Sequence, residues 1–462
     1  MKKFSLTAAA CCLLSLPFFG KSVTVFDGVV FYDGYNGTVF DAELQDGVLR
    51  HSNSLYAVKL DPADFADASQ ADFRMEVEIG ALCDNYDRIG NVNLALVPKG
   101  AASYNPDETE RIELTRFITP FMDKNKQPDV VPYEYSIPNV AKILRDSKLN
   151  SEFDFWLEFE LFGIPYAANE QIRGCAGRND VFDGTLRFTF TPSEQVVEES
   201  GNVLVPIYIK TPEHYGNINL NNYTEAATDT LGVTTRTFDF YVPENVTDSR
   251  IYLILTNHGA KTSGEEYNRR LHLIYVDGEV LLSYVPGGES CEPYRIYNTQ
   301  ANGIYGTTRP PNYWERNSNW CPGQAVPIRE IHTGALSKGN HSVMIRVPDA
   351  RFINQDGDFR PSIYFQGVSE GTLDASVDQL WFESPEVTCT LDGRTLRINS
   401  DEPIKMMTLH TYDGRSVMTR GFLGGPQNLE TVDLGELEQG WYIATFFTSE
   451  GRTASQKLIL EK

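Results

Sequence analysis

Two aspartates and an arginine lie close together in residues 84–88: Asp84, Asp87 and Arg88. A half-buried carboxylate can be shifted towards the pKa range of a general base, whereas a neighbouring arginine would hold it ionised. The structural alternative is an Asx turn formed by Asp84 and Asn85. The segment therefore predicts either a catalytic carboxylate or a polar turn.

A second group of carboxylates follows the alternation of a strand over residues 153–161. The odd positions are all apolar, whereas the even positions are Asp154, Trp156, Glu158 and Glu160. Successive side chains of a strand point to opposite faces, so the pattern predicts one core face and one face of carboxylates. That polar face is either solvated or part of a site.

A third set of polar residues precedes an apolar run. Glu266, Asn268, Arg270 and His272 alternate along the sequence and share a face if the strand begins this early. Pairing of the arginine with a carboxylate is the structural alternative.

Residues 313–323 place Arg316 between Trp314 and Trp320, next to Cys321. An indole face stacks on the C–H groups of a sugar, and a guanidinium group polarises an oxygen. The loop therefore suggests a sugar or anion site. The alternative is a pair of tryptophans that packs against a disulfide.

Composition narrows the chemistry further. The formal net charge of -23, without a long Lys/Arg run, opposes nucleic acid as a partner. The seven histidines show no His-x-His or His-x-x-x-His spacing, so neither a metal nor a cofactor is expected. No nucleophile elbow or phosphate loop occurs either. Carboxylate chemistry assisted by an arginine is what remains.

The amino terminus predicts export. Two lysines after Met1 precede an apolar stretch that ends near Gly20, which is the order of a secretory signal peptide over residues 1–22. A lipid anchor on Cys11 is the alternative. No later stretch reaches the ~20 apolar residues of a membrane-spanning helix. We expect a secreted or cell-surface protein without a membrane span.

Five cysteines remain after removal of that segment, and export makes disulfides possible. They are Cys83, Cys175, Cys291, Cys321 and Cys389. The best pair is Cys291 with Cys321, which would stabilise the fold by roughly 3–4 kcal/mol on the chain-entropy model. The pairing of the other three stays open.

The chain of 462 residues is long enough for two to four domains. Its apolar runs are short, often β-branched, and separated by Gly, Pro, Asn and Asp, which favours strands. We predict an all-β protein with two antiparallel sandwiches, at residues 23–192 and 200–384, and a small β-sandwich at 386–462. Asp277-Gly278 predicts a hairpin, and between Val23 and about Phe190 only Val140–Leu144 is expected to be helical.

Three stretches resemble the peptide N-glycanase F family, the amidases that hydrolyse the bond between Asn and the first N-acetylglucosamine. They are Cys-Asp-Asn-Tyr-Asp-Arg at 83–88, Arg-Phe-Ile-Thr-Pro at 116–120, and Trp-Cys-Pro-Gly at 320–323 with Ala-Val-Pro at 325–327. The resemblance spans residues 23 to 384. It implies two adjacent eight-stranded jelly rolls with the site at their interface.

The same resemblance assigns roles to individual residues. It implies that Asp87 is the principal catalytic carboxylate, assisted by Glu158, Glu266 and Arg316. The expected substrate-binding residues are Tyr86, Arg88, Glu160, His258, Tyr267 and Trp320. Glu160 stands where the best-known branch has a Trp, and one extra residue separates Arg316 from Trp320. The expected substrates are N-linked glycoproteins or glycopeptides. The enzyme is expected to be a monomer.

The last 75 or so residues resemble the C-terminal sorting domain of type IX secretion cargo. The matching stretches are Tyr-Asp-Gly-Arg at 412–415, Gly-Trp-Tyr at 440–442 and Lys-Leu-Ile-Leu at 457–460. The resemblance implies the secretion machinery as a partner, with a carbohydrate-binding appendage as the alternative.

Two other functions compete with the amidase. Two jelly rolls with tryptophan and carboxylate surfaces could bind glycans at the cell surface without cutting them. A copper monooxygenase shares the paired jelly-roll plan, but the absence of paired histidines opposes it.

Overall fold

The computed structural model describes residues 20–460, except 40–41, 194–200, 210, 212–233, 260–263, 301, 318, 353–356, 371–386, 401–402, 412–415, 423–428, 436 and 449–452. Antiparallel sheets dominate the described residues, which confirms the all-β, jelly-roll fold class. Residues 1–19 of the predicted signal peptide and the stretch at 412–415 lie outside the described residues.

The first sandwich contains nine strands in the described residues. They are β1 Lys21–Tyr32, β2 Val48–Arg50, β3 Leu55–Lys59, β4 Arg74–Ala81, β5 Ile89–Pro98, β6 Arg111–Ile118, β7 Val130–Ser136, β8 Phe153–Leu161 and β9 Asp180–Phe190. Its short helices are a 3-10 turn at Pro62–Phe65, α1 Pro138–Arg145, α2 Ser147–Glu152 and α3 Tyr166–Gln171. Phenylalanines fill the space between its sheets, as in the edge-to-face contact of Phe31 with Phe159, whose ring centroids are 5.2 Å apart.

The described residues from 202 to 369 contain nine further strands, most of which form the second sandwich. They are β10 Asn202–Tyr208, β11 Thr235–Val242, β12 Val246–His258, β13 His272–Val276, β14 Glu279–Tyr284, β15 Ala325–Val326, β16 Arg329–His332, β17 Gly339–Arg346 and β18 Asp358–Ser369. It also has 3-10 turns at Glu265–Tyr267 and Glu292–Tyr297, and the helix α4 Pro311–Asn317. Eight of these strands form two four-stranded sheets, in the orders β10-β18-β12-β16 and β11-β17-β13-β14.

The remaining strand, β15, joins the first sandwich instead. It pairs with β6 through Ala325 opposite Phe117 and Val326 opposite Arg116. The sheets of the first sandwich therefore have the orders β1-β9-β4-β7 and β15-β6-β5-β8-β3-β2. This shared strand places the segment before it, residues 319–324, at the seam between the two sandwiches.

A smaller unit completes the described chain. Its strands are β19 Val387–Asp392, β20 Thr395–Ser400, β21 Ile404–Thr411, β22 Ser416–Gly421, β23 Leu429–Asp433, β24 Gly440–Thr448 and β25 Thr453–Leu460. They form two sheets around a separate apolar cluster that includes Met407 and Phe446.

Several predicted elements are present. The strand β8 has the predicted bounds, and α1 contains the predicted helical segment. The hairpin of β13 and β14 turns at Asp277 and Gly278, whose φ angles of 49° and 85° are those a two-residue hairpin turn requires. The strand does not begin as early as Glu266, because Glu265–Tyr267 forms a 3-10 turn and β13 begins at His272, so the condition for a shared face of these polar residues is not met.

The predicted disulfide between Cys291 and Cys321 is confirmed. A second disulfide joins Cys83 to Cys175, and Cys389 is free in the described structure. Within the described residues, no helix has the length and apolar character that crossing a membrane would require.

Candidate active site

The loop between β4 and β5 carries the first pair of aspartates. The Cys83–Cys175 disulfide fixes its start. The Asp84 carboxylate accepts the backbone N–H of Tyr86 at 3.0 Å, which is the Asx turn, and the backbone N–H of Ile164 at 2.7 Å. Asp84 therefore has a structural role in holding the loop.

Arg88 also binds Asp84 rather than Asp87. Its Nε lies 2.6 Å from Oδ2 of Asp84 and its Nη2 lies 3.2 Å from Oδ1, a bidentate pair in which the Asp84 side chain is fully buried. The Asx turn and a catalytic role of Asp87 are therefore compatible, since Arg88 pairs with Asp84 and not with Asp87.

Asp87 has the environment of a general base. It is half-buried, and burial raises its pKa to about 6, although the nearby Arg88 charge acts in the opposite direction. The Asp84 charge adds a smaller increase. A carboxyl with this pKa is mostly ionised at neutral pH and still accepts a proton readily.

The second sandwich contributes a further carboxylate. Glu266 lies in the 3-10 turn and accepts the backbone N–H of Gly259 at 3.1 Å, and the hydroxyl of Tyr267 hydrogen-bonds to it. Burial, together with the charges of Glu266 and Asp87, raises the pKa of Tyr267. This phenol therefore lies close to a carboxylate of each sandwich and stays protonated.

Asp87 and Glu266 line one narrow cleft at the seam. The other lining residues are mainly aromatic, namely Tyr267, Ile304, Tyr313, Trp314, Trp320 and Pro322. The Tyr267 side chain is 38% exposed, and Trp320 is half-buried, so both present ring surface to the cleft. The combination of two carboxylates with aromatic walls suits a polar group carried on a sugar.

The two tryptophans of the loop have different environments. Trp314 is buried against the Cys291–Cys321 disulfide and Tyr305, as the structural alternative for this loop predicts. Trp320 instead donates its indole N–H to the backbone carbonyl of Asn257 at 2.9 Å, which fixes its ring at the cleft.

Glu158 and Glu160 lie in β8 and are fully buried, so this face is not solvated. Glu158 accepts Nε of Arg111 at 2.9 Å and the hydroxyl of Tyr104 at 2.8 Å. Glu160 accepts the amide of Asn91 at 3.0 Å. Neither carboxylate is among the described residues that line the cleft.

The remaining predicted residues surround the cleft in different ways. Tyr86 and Arg88 belong to the Asp87 loop, where the guanidinium group lies 5.5 Å from the ring centroid. His258 donates to or accepts from Oγ1 of Thr256 at 2.7 Å, and burial lowers its pKa well below the usual range. The backbone of Arg316 lies in α4, and its side chain is outside the described part of the structure.

Two residues without an assigned role hold the site together. Asn319 donates its amide to the backbone carbonyls of Glu265 and Glu266, at 2.9 and 2.5 Å, and thereby fixes the 3-10 turn. Thr119 accepts the backbone N–H of Arg88 at 2.7 Å. Neither could be found by residue type alone, because the partners are distant in sequence.

Among the described residues, no group of three or more His, Cys, Asp or Glu side chains is arranged to hold a metal ion. The cleft thus offers two carboxylates and aromatic surface as its chemical groups.

Comparison with solved structures supports the fold. Two structures of PNGF-II have TM-scores of 0.51 and 0.53, at 16% and 17% identity, and cover 75% and 78% of this chain. The chain spans 65% and 66% of their length. PNGase F, a glycosylasparaginase from Flavobacterium meningosepticum, is 16% identical over 76% of this chain and 96% of its own, with a TM-score of 0.46. No curated protein sequence matches the chain significantly.

Sequence profiles of one family match both sandwiches in order. The profile "Peptide-N-glycosidase F, N terminal" matches residues 22–175, and "Peptide-N-glycosidase F, C terminal" matches residues 222–366. Together they cover more than half of the chain, which therefore belongs to the peptide-N-glycosidase F family.

Proposed function

We propose that the chain is an amidase that hydrolyses the bond between the Asn side chain and the first N-acetylglucosamine of an N-glycan. The observation that carries the proposal is the position of Asp87, a carboxylate with a raised pKa in an aromatic cleft opposite Glu266. Family membership supports it, since both of the family's profiles match the sandwiches that form this cleft.

In this reaction Asp87 takes a proton from a water molecule. The water oxygen forms a bond to the side-chain carbonyl carbon, the C–N bond breaks, and the glycosylamine nitrogen receives a proton. The products are a glycosylamine and a peptide in which Asp replaces Asn. Because the Asp87 pKa is about 6, the carboxylate is available as a base at neutral pH.

Glu266 and the aromatic walls position the substrate. Glu266 is fixed by the N–H of Gly259 and keeps acceptor capacity for the substrate amide N–H. Tyr267 and Trp320 supply ring surface on which the core sugars stack. Arg316 as the group that polarises the amide, and Glu158 as a sugar-binding group, stay predictions from the sequence.

Export, the role of residues 386–462 in sorting, the monomeric state and the stated domain boundaries also stay predictions. They agree with a substrate found outside the cell, namely glycoproteins or glycopeptides. These properties can be tested independently of the chemistry at Asp87.

The experiment is incubation with a glycopeptide that carries one N-glycan, in water enriched in oxygen-18, followed by mass spectrometry. We expect a peptide with Asp that contains one heavy oxygen. An unchanged glycopeptide that stays bound would support the glycan-binding alternative, and a peptide that retains one sugar on Asn would exclude an amidase.

Asp87→Asn should lower the rate by about 10²–10⁴, the usual contribution of a general base. Asp183→Asn is the matched control, because Asp183 is a half-buried aspartate of the same sandwich whose pKa burial also raises. It lies in β9, outside the cleft lining, and should retain the wild-type rate.

A further inference from the structure

The end of β6 contacts both halves of the cleft. The stretch Arg116 to Pro120 is one of the three that the family resemblance rests on, yet the proposed chemistry gives it no role. Arg116 and Thr119 are both fully buried and are separated by only two residues. Arg116 hydrogen-bonds to the second sandwich, and Thr119 hydrogen-bonds to the Asp87 loop.

Thr119 holds the loop of Asp87 from both sides. Its hydroxyl accepts the backbone N–H of Arg88 at 2.7 Å and donates to the carbonyl of Tyr86 at 3.3 Å. Its own N–H donates to the carbonyl of Arg88 at 2.8 Å. These three hydrogen bonds flank Asp87 on each neighbouring residue, so they fix its backbone against β6.

Arg116 holds the end of β12 in the other sandwich. Its Nη1 donates to Oγ1 of Thr256 at 2.7 Å and to the carbonyl of Arg360 at 2.8 Å. Glu113 neutralises the guanidinium through bonds of 2.8 and 2.7 Å, and both side chains are fully buried. A buried, fully paired charge network of this kind has little freedom to move.

The residues that follow Thr256 place the second half of the cleft. The carbonyl of Asn257 accepts the Trp320 indole N–H at 2.9 Å. Gly259 donates its N–H to the Glu266 carboxylate at 3.1 Å and accepts the Glu266 N–H at 3.3 Å. The position of β12 therefore determines where Glu266 and Trp320 stand.

The backbone of β6 also fixes the wall between these groups. Gly323 donates to the carbonyl of Ile118 at 2.9 Å, and Ile118 donates to the carbonyl of Gln324 at 3.1 Å. Pro322, which lines the cleft, directly precedes this pairing.

We propose that Arg116 to Thr119 form a spacer that sets the separation of Asp87 from Glu266 and Trp320, with Arg116 and Thr119 as positioning residues. The inference rests on the proposed amidase function and deepens it. A displacement of about 1 Å at a reacting group can cost about 10²-fold in rate, so the spacer acts on catalysis without contacting substrate.

The test compares three threonine variants on the glycopeptide. Thr119→Val removes the hydroxyl at nearly constant volume, and Thr119→Ser keeps it. Thr115→Val is the matched control, because Thr115 lies in β6, which directly precedes Thr119, is equally buried, and has a hydroxyl with no hydrogen-bond partner among the described residues.

We expect Thr119→Val to lower kcat by about tenfold or more with KM changed by less than about threefold, since only the base moves. Thr119→Ser should restore most of kcat, and Thr115→Val should match wild type. An active wild type with an unaffected Thr119→Val, or a KM effect alone, would overturn the spacer. An inactive wild type would instead reject the amidase itself.

A second set of variants tests the other end of the spacer, where Arg116 binds Thr256. Thr256→Val removes the hydroxyl that accepts a hydrogen bond from Arg116, and it should lower kcat as Thr119→Val does. Thr256→Ser keeps the hydroxyl and should restore most of kcat. Because both threonines act on one separation, the Thr119→Val/Thr256→Val double variant should lose less than the product of the single losses. Independent, multiplicative losses would contradict a common spacer.

Discussion

The first sandwich contains two sets of carboxylates with opposite environments. Glu158 is fully buried in β8, where it is paired with Arg111 and bound by Tyr104. Asp87 is half-buried at the cleft, and the nearest arginine binds Asp84 instead. The charge of the first set is compensated inside the fold, whereas burial raises the pKa of Asp87 and the Arg88 charge offsets that rise only in part.

Whether an arginine binds a carboxylate separates the structural from the candidate catalytic acidic residues here. An arginine placed one residue after Asp87 does not neutralise it, since Asp84 takes both guanidinium hydrogen bonds. Because Arg88 is bound to Asp84, Asp87 is available to accept a proton. A candidate base is therefore recognised by which carboxylate lacks a bound cation, more than by the density of acidic residues.

The largest expected effect is the loss of folding stability on replacement of Glu158. Glu158→Gln leaves the Arg111 guanidinium, only 6% exposed, without its counter-charge. We expect the free energy of unfolding to fall by about 3–5 kcal/mol in urea titrations. Glu134→Gln, in a surface pair with Arg74 that is more than half exposed, should change it by less than about 1 kcal/mol.

A loss below about 1 kcal/mol for Glu158→Gln would contradict the structural role. The same variant also tests the sequence prediction for Glu158. If glycan release per folded molecule falls as strongly as in Asp87→Asn, Glu158 takes part in binding or catalysis as well.

Replacement of Asp87 should change the free energy of unfolding in the opposite direction. A carboxyl whose folded pKa of about 6 exceeds its ordinary value of about 4 contributes stability that is present below about pH 4 and lost as the pH rises through about 6. Asp87→Asn removes the ionised form, so it should raise the free energy of unfolding by about 1–3 kcal/mol at pH 7.

Urea titrations of Asp87→Asn and wild type at pH 7 and pH 4 measure this difference. The gain should be lost at pH 4, where the wild-type carboxyl is protonated. A destabilised variant at pH 7 would show that the charge of Asp87 supports the fold, and the contrast between the two sets of carboxylates would fail.

Much of the fold follows from local pattern. The alternation over residues 153–161 predicts β8 with its bounds, and Asp277-Gly278 predicts the hairpin because both residues must adopt positive φ. The alternating polar residues from Glu266 onward would also fit a strand, whereas hydrogen bonds from Asn319 fix a 3-10 turn there and β13 begins only at His272.

The site is less accessible to pattern analysis, since its parts meet only through tertiary contacts. Asp87 and Glu266 lie on different sandwiches, and the resemblance alone connects them. The burial of Glu160 likewise depends on distant partners, among them the Thr211 hydroxyl at 2.8 Å. The fully buried position also shows that a Trp substituted there would have to displace its neighbours.

The pH dependence of kcat/KM for glycan release tests the role of Asp87 most directly, because it reports the base of the free enzyme. We expect an acidic limb with a midpoint near pH 6, the pKa of Asp87, and a loss of about tenfold per pH unit below it. A limb near pH 4, the ordinary range of a carboxyl, or a rate without an acidic limb would contradict Asp87 as the catalytic base.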